Sequence, residues 1–85
     1  MFEYTKNNLN LIIDEVKVGY ILYDEKDNFF AATHIYLNKE ERGKGYSSLL
    51  IEEFVEFAKK KNKKIYPTCP VIKRYLESTY PELAK

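Results

Sequence analysis

Eighty-five residues leave no room for a second independent core, so the chain is expected to be one domain over residues 1–85 with any site built on it. Fourteen basic side chains nearly cancel thirteen acidic ones, leaving +1, while 45% hydrophobic residues include eight Tyr and five Phe; the first excludes the strong positive field of a dedicated nucleic-acid binder and the second excludes a disordered chain. One Cys makes no internal disulfide, and no segment approaches the ~20 apolar residues of a membrane span, so a cytoplasmic setting without membrane attachment is expected.

Met1 to Thr5 reads as a short leading strand. Leu9 to Asp14 partly alternates apolar and polar residues, and Lys17 to Tyr23 follows after a short polar break, as two strands of a hairpin do. Asp24 to Asn28 is turn chemistry, and Phe29 to Leu37 is aromatic and β-branched enough for a long strand. The first half is therefore expected to be an antiparallel meander.

From Gly45 the period changes. Leu50, Phe54 and Phe57, with Ile51, Val55 and Ala58, recur at helical spacing, opposite Glu52, Glu53, Glu56 and Lys59. Lys59 to Lys61 complement the carbonyl end of that helix, and Asn62 stands at a left-handed C-cap position, which ends the helix near Lys61. Lys64 to Pro67 is extended again, and Pro70 suits the first turn of a last helix, Val71 to Ser78, closed before Pro81. The strand at Phe29 and the strand at Lys64 should be parallel neighbours joined through the long helix.

Between that strand and that helix lies Glu40 to Ser47. Amides at a helix entrance lack partners, and an anion satisfies them. Gly43 and Gly45 let the backbone approach a phosphate, and Arg42 and Lys44 add charge that suits a pyrophosphate. A plain strand-to-helix turn with solvated cations accounts equally for the loop taken alone. A Walker lysine followed by Ser or Thr is missing, as is the three-glycine dinucleotide fingerprint.

Arg42-Gly43-Lys44-Gly45-Tyr46-Ser47 resembles the Arg/Gln-x-x-Gly-x-Gly/Ala signature of the GNAT superfamily of acetyltransferases, with Ser47 in place of the usual Gly or Ala. Tyr66 to Leu76 followed by Tyr80-Pro81-Glu82, and the pair Thr33-His34, are similar to the compact single-domain members, so the likeness runs from about Asn8 to Leu83. It implies a minimal GNAT fold of α/β (α+β) class: the meander, a helix, a splayed parallel strand and a C-terminal helix. It further implies acetyl-coenzyme A on Arg42, Gly43, Lys44, Gly45, Tyr46 and Ser47, with backbone groups of Ile35, Tyr36 and Leu37 pairing with the pantetheine amides and Lys73 and Tyr75 turned towards the cofactor. The acceptor is an amine of a protein, peptide or small molecule; no metal is expected. Larger members carry N-terminal helices beside the acceptor, where this chain has strands.

Two side chains are candidates for the chemistry of transfer. Cys69, flanked by Pro67 and Pro70, reads as an exposed corner beside the thioester where a thiolate accepts the acetyl group; the competing reading is a small buried hydrophobe. His34 shares an alternating face with Phe30, Ala32 and Tyr36 and is the candidate base, against a packed, hydrogen-bonded histidine. A different class of function, a non-catalytic acyl-coenzyme A sensor or partner-binding module, remains beside the transferase.

Overall fold

Four strands run back and forth before the first helix begins. In the computed structural model, which describes residues 1–85, β1 (Phe2–Tyr4), β2 (Asn8–Ile13), β3 (Val16–Glu25) and β4 (Phe29–Leu37) pair antiparallel in chain order. β5 (Lys64–Pro67) joins β4 in parallel and completes a sheet ordered β1-β2-β3-β4-β5. The connection between them is α1 (Tyr46–Lys60), preceded by a 3₁₀ turn at Lys39–Glu41, and α2 (Pro70–Thr79) follows β5. This is the mixed α+β architecture that the residue pattern and the GNAT resemblance imply.

The ends of the elements follow local chemistry. Asp14 and Glu15 turn the β2–β3 hairpin with φ of 50° and 64°, the left-handed backbone that a two-residue hairpin favours. β3 continues to Glu25, so Asp24 and Glu25, whose composition suggests a turn, pair instead with Ala31 and Phe30; the ladder offered by β4 overrides their weak strand preference. At the end of α1, Asn62 has φ 57°, its N–H donates to the Lys59 carbonyl, and the Lys63 N–H donates to that of Ala58. That is a Schellman closure with Asn in the left-handed position. Pro70 opens α2, where its missing N–H has no acceptor to lose.

Both helices pack on one face. Leu50, Ile51, Phe54, Val55 and Ala58 of α1 and Ile72 and Leu76 of α2 share one apolar cluster with Leu9, Ile21, Tyr23, Phe30 and Ile65 from the strands. The Tyr75 and Tyr80 hydroxyls both donate to the Glu52 carboxylate of α1, a polar seam that ties α2 to its neighbour. The N–H of Ile65 donates to the Leu83 carbonyl and the N–H of Lys85 to that of Ile65, so Leu83 to Lys85 run along the outer edge of β5.

One irregularity shapes everything downstream. Opposite β3, Leu22 pairs with His34 but Tyr23 pairs with Ala32, which leaves Thr33 as an extra residue in β4. Such a bulge bends its strand and changes which way the following side chains point. Pairing of β4 with β5 ends at Ala32 and Pro67, with one last bond from the Thr68 N–H to the Ala32 carbonyl, 3.0 Å. Beyond it β4 runs on from Thr33 to Leu37 paired only with β3, and its other edge is open there.

Candidate functional site

The open stretch of β4 forms one wall of a groove of about 450 Å³ lined by His34, Ile35, Tyr36, Leu37, Arg42, Gly43, Ser47 and Val71. Residues from β4, the loop and the start of α2 thus meet at the place where the strands diverge. The Asn38 N–H donates to the Val18 carbonyl of β3. Counting back in twos, Tyr36 and His34 stand opposite Tyr20 and Leu22 and also turn their backbone groups to β3, while Ile35 and Leu37 turn theirs to the groove. The expected trio of backbone partners therefore divides, with Tyr36 contributing its ring rather than its amide.

Gly43 and Gly45 have φ of 82° and 81°, a region that side chains of L-residues strain to adopt. A Cβ built on either meets no heavy atom within 4 Å, so both glycines face open space. The N–H groups of Gly43, Lys44 and Gly45 donate to no backbone carbonyl, and those of Tyr46, Ser47 and Ser48 lie in the first turn of α1, where no intrahelical acceptor exists. No side chain caps this helix start. A run of free amides at the positive end of a fifteen-residue helix fits a diphosphate.

The two cations of the loop are already engaged. The Arg42 Nε–H donates to the Leu37 carbonyl at 3.3 Å, with its guanidinium carbon 6.0 Å from the Tyr36 ring centre. The Lys44 ammonium lies 3.2 Å from the Glu41 carboxylate. Glu41, three residues ahead of Lys44, was not singled out from the sequence, although that spacing is the signal of a local ion pair.

The remaining expected residues are placed as follows. Ser47 lines the groove, while Tyr46 is half-buried against the core. Cys69 is only 7% exposed and belongs to the apolar cluster, which corrects the exposed corner inferred from its flanking prolines: α2 folds Ile72 and Leu76 back onto the sheet and covers the end of β5. His34 is exposed on the groove wall, and the bulge at Thr33 sets it and Tyr36 on the face opposite Phe30 and Ala32, which are fully buried. Lys73 is exposed and lines neither the groove nor its neighbouring recess. The Tyr75 hydroxyl is held by Glu52; that hydrogen bond raises the Tyr75 pKa, and with the one from Tyr80 it lowers that of Glu52.

Comparison with known proteins decides the family. A model of the GCN5-related N-acetyl-transferases matches residues 3–85. The chain belongs to that family. A GCN5-like protein from Staphylococcus aureus is 26% identical, with a TM-score of 0.78 over 100% of this chain and 87% of its own. The ribosomal-protein-alanine N-acetyltransferase from Brucella melitensis biovar Abortus is 21% identical, with a TM-score of 0.70, and Ard1 from Thermoplasma volcanium is 14% identical, with 0.69; both share the fold. This GCN5-related chain covers 92% and 86% of itself in those matches but spans only 60% and 54% of the two larger proteins. No curated protein matches it in sequence. No helix is long and apolar enough to cross a membrane.

Proposed function

We propose that the groove binds acetyl-coenzyme A and that the chain transfers the acetyl group to an amine. The observation that carries this reading is the run of unpartnered amides from Gly43 into α1, set beside the unpaired edge of β4. Amides of Gly43 to Ser47 hold the diphosphate, with Arg42 and Lys44 turning from Leu37 and Glu41 to add charge. Ile35 and Leu37 offer edge groups to the pantetheine amides, as a strand would. The acyl end then lies where β4 and β5 part, beside His34.

There the amine attacks the thioester carbonyl, His34 takes the proton that the amine releases, and the tetrahedral adduct collapses to the amide as its C–S bond breaks and coenzyme A leaves as a thiolate that takes up a proton. Membership of an N-acetyltransferase family supports the reaction class. The burial of Cys69 favours direct transfer over a relay through its thiol, since a covalent relay needs an accessible thiolate.

Release of free thiol from acetyl-coenzyme A, followed with a panel of polyamines, lysine peptides and free N-terminal peptides, tests this. Amine-dependent release, with no mass adduct on the protein incubated with acetyl-coenzyme A alone, is expected. An acetyl adduct on Cys69 would restore the relay. Cofactor binding without turnover of any amine would instead support the sensor.

A further inference from the structure

Lysines gather where α1 ends. Lys59, Lys60 and Lys61 close the helix, Lys63 and Lys64 follow at once, and Lys85 returns to the same place because its N–H donates to the Ile65 carbonyl of β5. A recess of about 450 Å³ opens there, lined by Lys59, Lys63, Lys64 and Lys85 with Asn28 and Asn62. It stands at the far end of the sheet from the groove. The Lys64 N–H donates to the Asn28 carbonyl where β4 and β5 begin, whereas the groove opens beyond Ala32, where they part.

More charge is collected here than the helix asks for. A helix carbonyl end carries about half a negative charge, and the whole chain totals only +1. Lys59 pairs with Glu56 and Lys63 with Glu25, but Lys60, Lys61, Lys64 and Lys85 make no salt bridge. Glu82 is the only acidic residue on the lining. Lys64 and Lys85 lie outside the helix, so its dipole does not account for them. Two of the lining ammonium groups rest on aromatic rings, Lys59 at 5.1 Å from the centre of Tyr80 and Lys85 at 4.9 Å from that of Phe29. A ring orients a cation without cancelling its charge.

The lining also selects among anions. Its cations are all lysines, which present point charges rather than the planar fork that grips one phosphate at two points. No aromatic residue lines the recess, so it offers a nucleobase no ring to stack on. Asn28 and Asn62 are exposed and add amide donors, and the half-buried Leu83 adds a small apolar spot. Spaced charges with amide donors suit a row of carboxylates.

We propose that this recess docks an acidic segment, a run of Asp and Glu, of a partner protein. The assignment is independent of the acetyl-coenzyme A reading of the groove. Because the two sites lie at opposite ends of the sheet, coenzyme A should not displace the segment.

Fluorescence anisotropy of labelled hexaglutamate with the whole chain tests this, with hexaglutamine as the neutral control. Hexaglutamate is expected to bind and hexaglutamine is not. Its affinity should fall as salt rises from about 0.01 to 0.15 M, over which the screening length shrinks from ~30 to ~8 Å. Lys64→Gln and Lys85→Gln should each weaken it about 1.5- to 5-fold, the worth of one exposed ion pair. Lys39→Gln, which removes the same charge at the other end of β4, should not. Circular dichroism of each variant checks that the fold is retained. Equal binding of the two peptides, equal losses in all three variants, or unchanged affinity when Lys64 and Lys85 are both replaced would overturn the proposal. So would displacement by coenzyme A, which would put the peptide at the groove, or tighter binding of a thymidine hexanucleotide.

Discussion

Replacing Gly45 by Ala separates what the loop contributes to folding from what it contributes to binding. At φ 81° the added methyl meets nothing within 4 Å, so its effect on the free protein is confined to the backbone. A left-handed L-residue costs about 1–2 kcal/mol, and the smaller entropy of the unfolded Ala chain offsets about 0.4–1 of it. The net loss is about 1 kcal/mol, which lowers Tm by about 4–8 °C in a domain of this size. On the proposed reading that open space is where the cofactor's diphosphate approaches the loop, so the affinity for coenzyme A should fall at least about tenfold, or ~1.4 kcal/mol. Thermal unfolding without ligand reads the first number and calorimetry reads the second. A variant that loses the predicted stability yet keeps its affinity would refute the amide cradle, because the backbone strain would then be present without the obstruction.

Glu41→Gln should tighten coenzyme A by about 1.5- to 5-fold in the same calorimetry, because it releases Lys44 from a partly exposed pair of the kind worth about 0.2–1 kcal/mol; weaker binding would mean that Glu41 positions the loop rather than competing with the ligand. His34→Ala should lower kcat by about 10²–10⁴ with little change in coenzyme A affinity, and equal losses in both would make His34 a wall of the groove rather than a base. The hydrogen bond to Glu52, followed by burial, pushes the Tyr80 pKa from 10.0 up to about 12. A raised folded value means that its stabilisation is complete below pH 10 and is lost as pH rises through 12. Tm followed by circular dichroism should therefore fall across that window, and Tyr80→Phe should lessen the fall; an unchanged profile in the variant would remove Tyr80 from the seam.

Much of the architecture was legible because it is written in local periods. Alternation marked the meander, and the stripe from Leu50 to Ala58 marked α1. Asn62 and Pro70 marked where helices stop and start, and the glycines at 43 and 45 sit where the backbone turns left-handed. What escaped depends on pairing. The extra residue at Thr33 arises from the register of β4 against β3, so simple alternation put His34 with Phe30 and Ala32 when the bulge sets it opposite. Cys69 looked exposed from its prolines, yet its burial is imposed by residues that come after it, Ile72 and Leu76, once α2 folds back. Helical phase along α2 separates Tyr75, whose hydroxyl reaches Glu52, from Lys73, which is exposed.

The central claim is that free amide hydrogens at the entrance to α1 grip the diphosphate of coenzyme A. Titration with coenzyme A and with pantetheine, which keeps the arm and lacks every phosphate, tests it most directly. Coenzyme A is predicted to bind at least about a hundredfold more tightly, ~2.8 kcal/mol. Equal affinity for the two, or no heat from coenzyme A at millimolar concentration, would contradict the account.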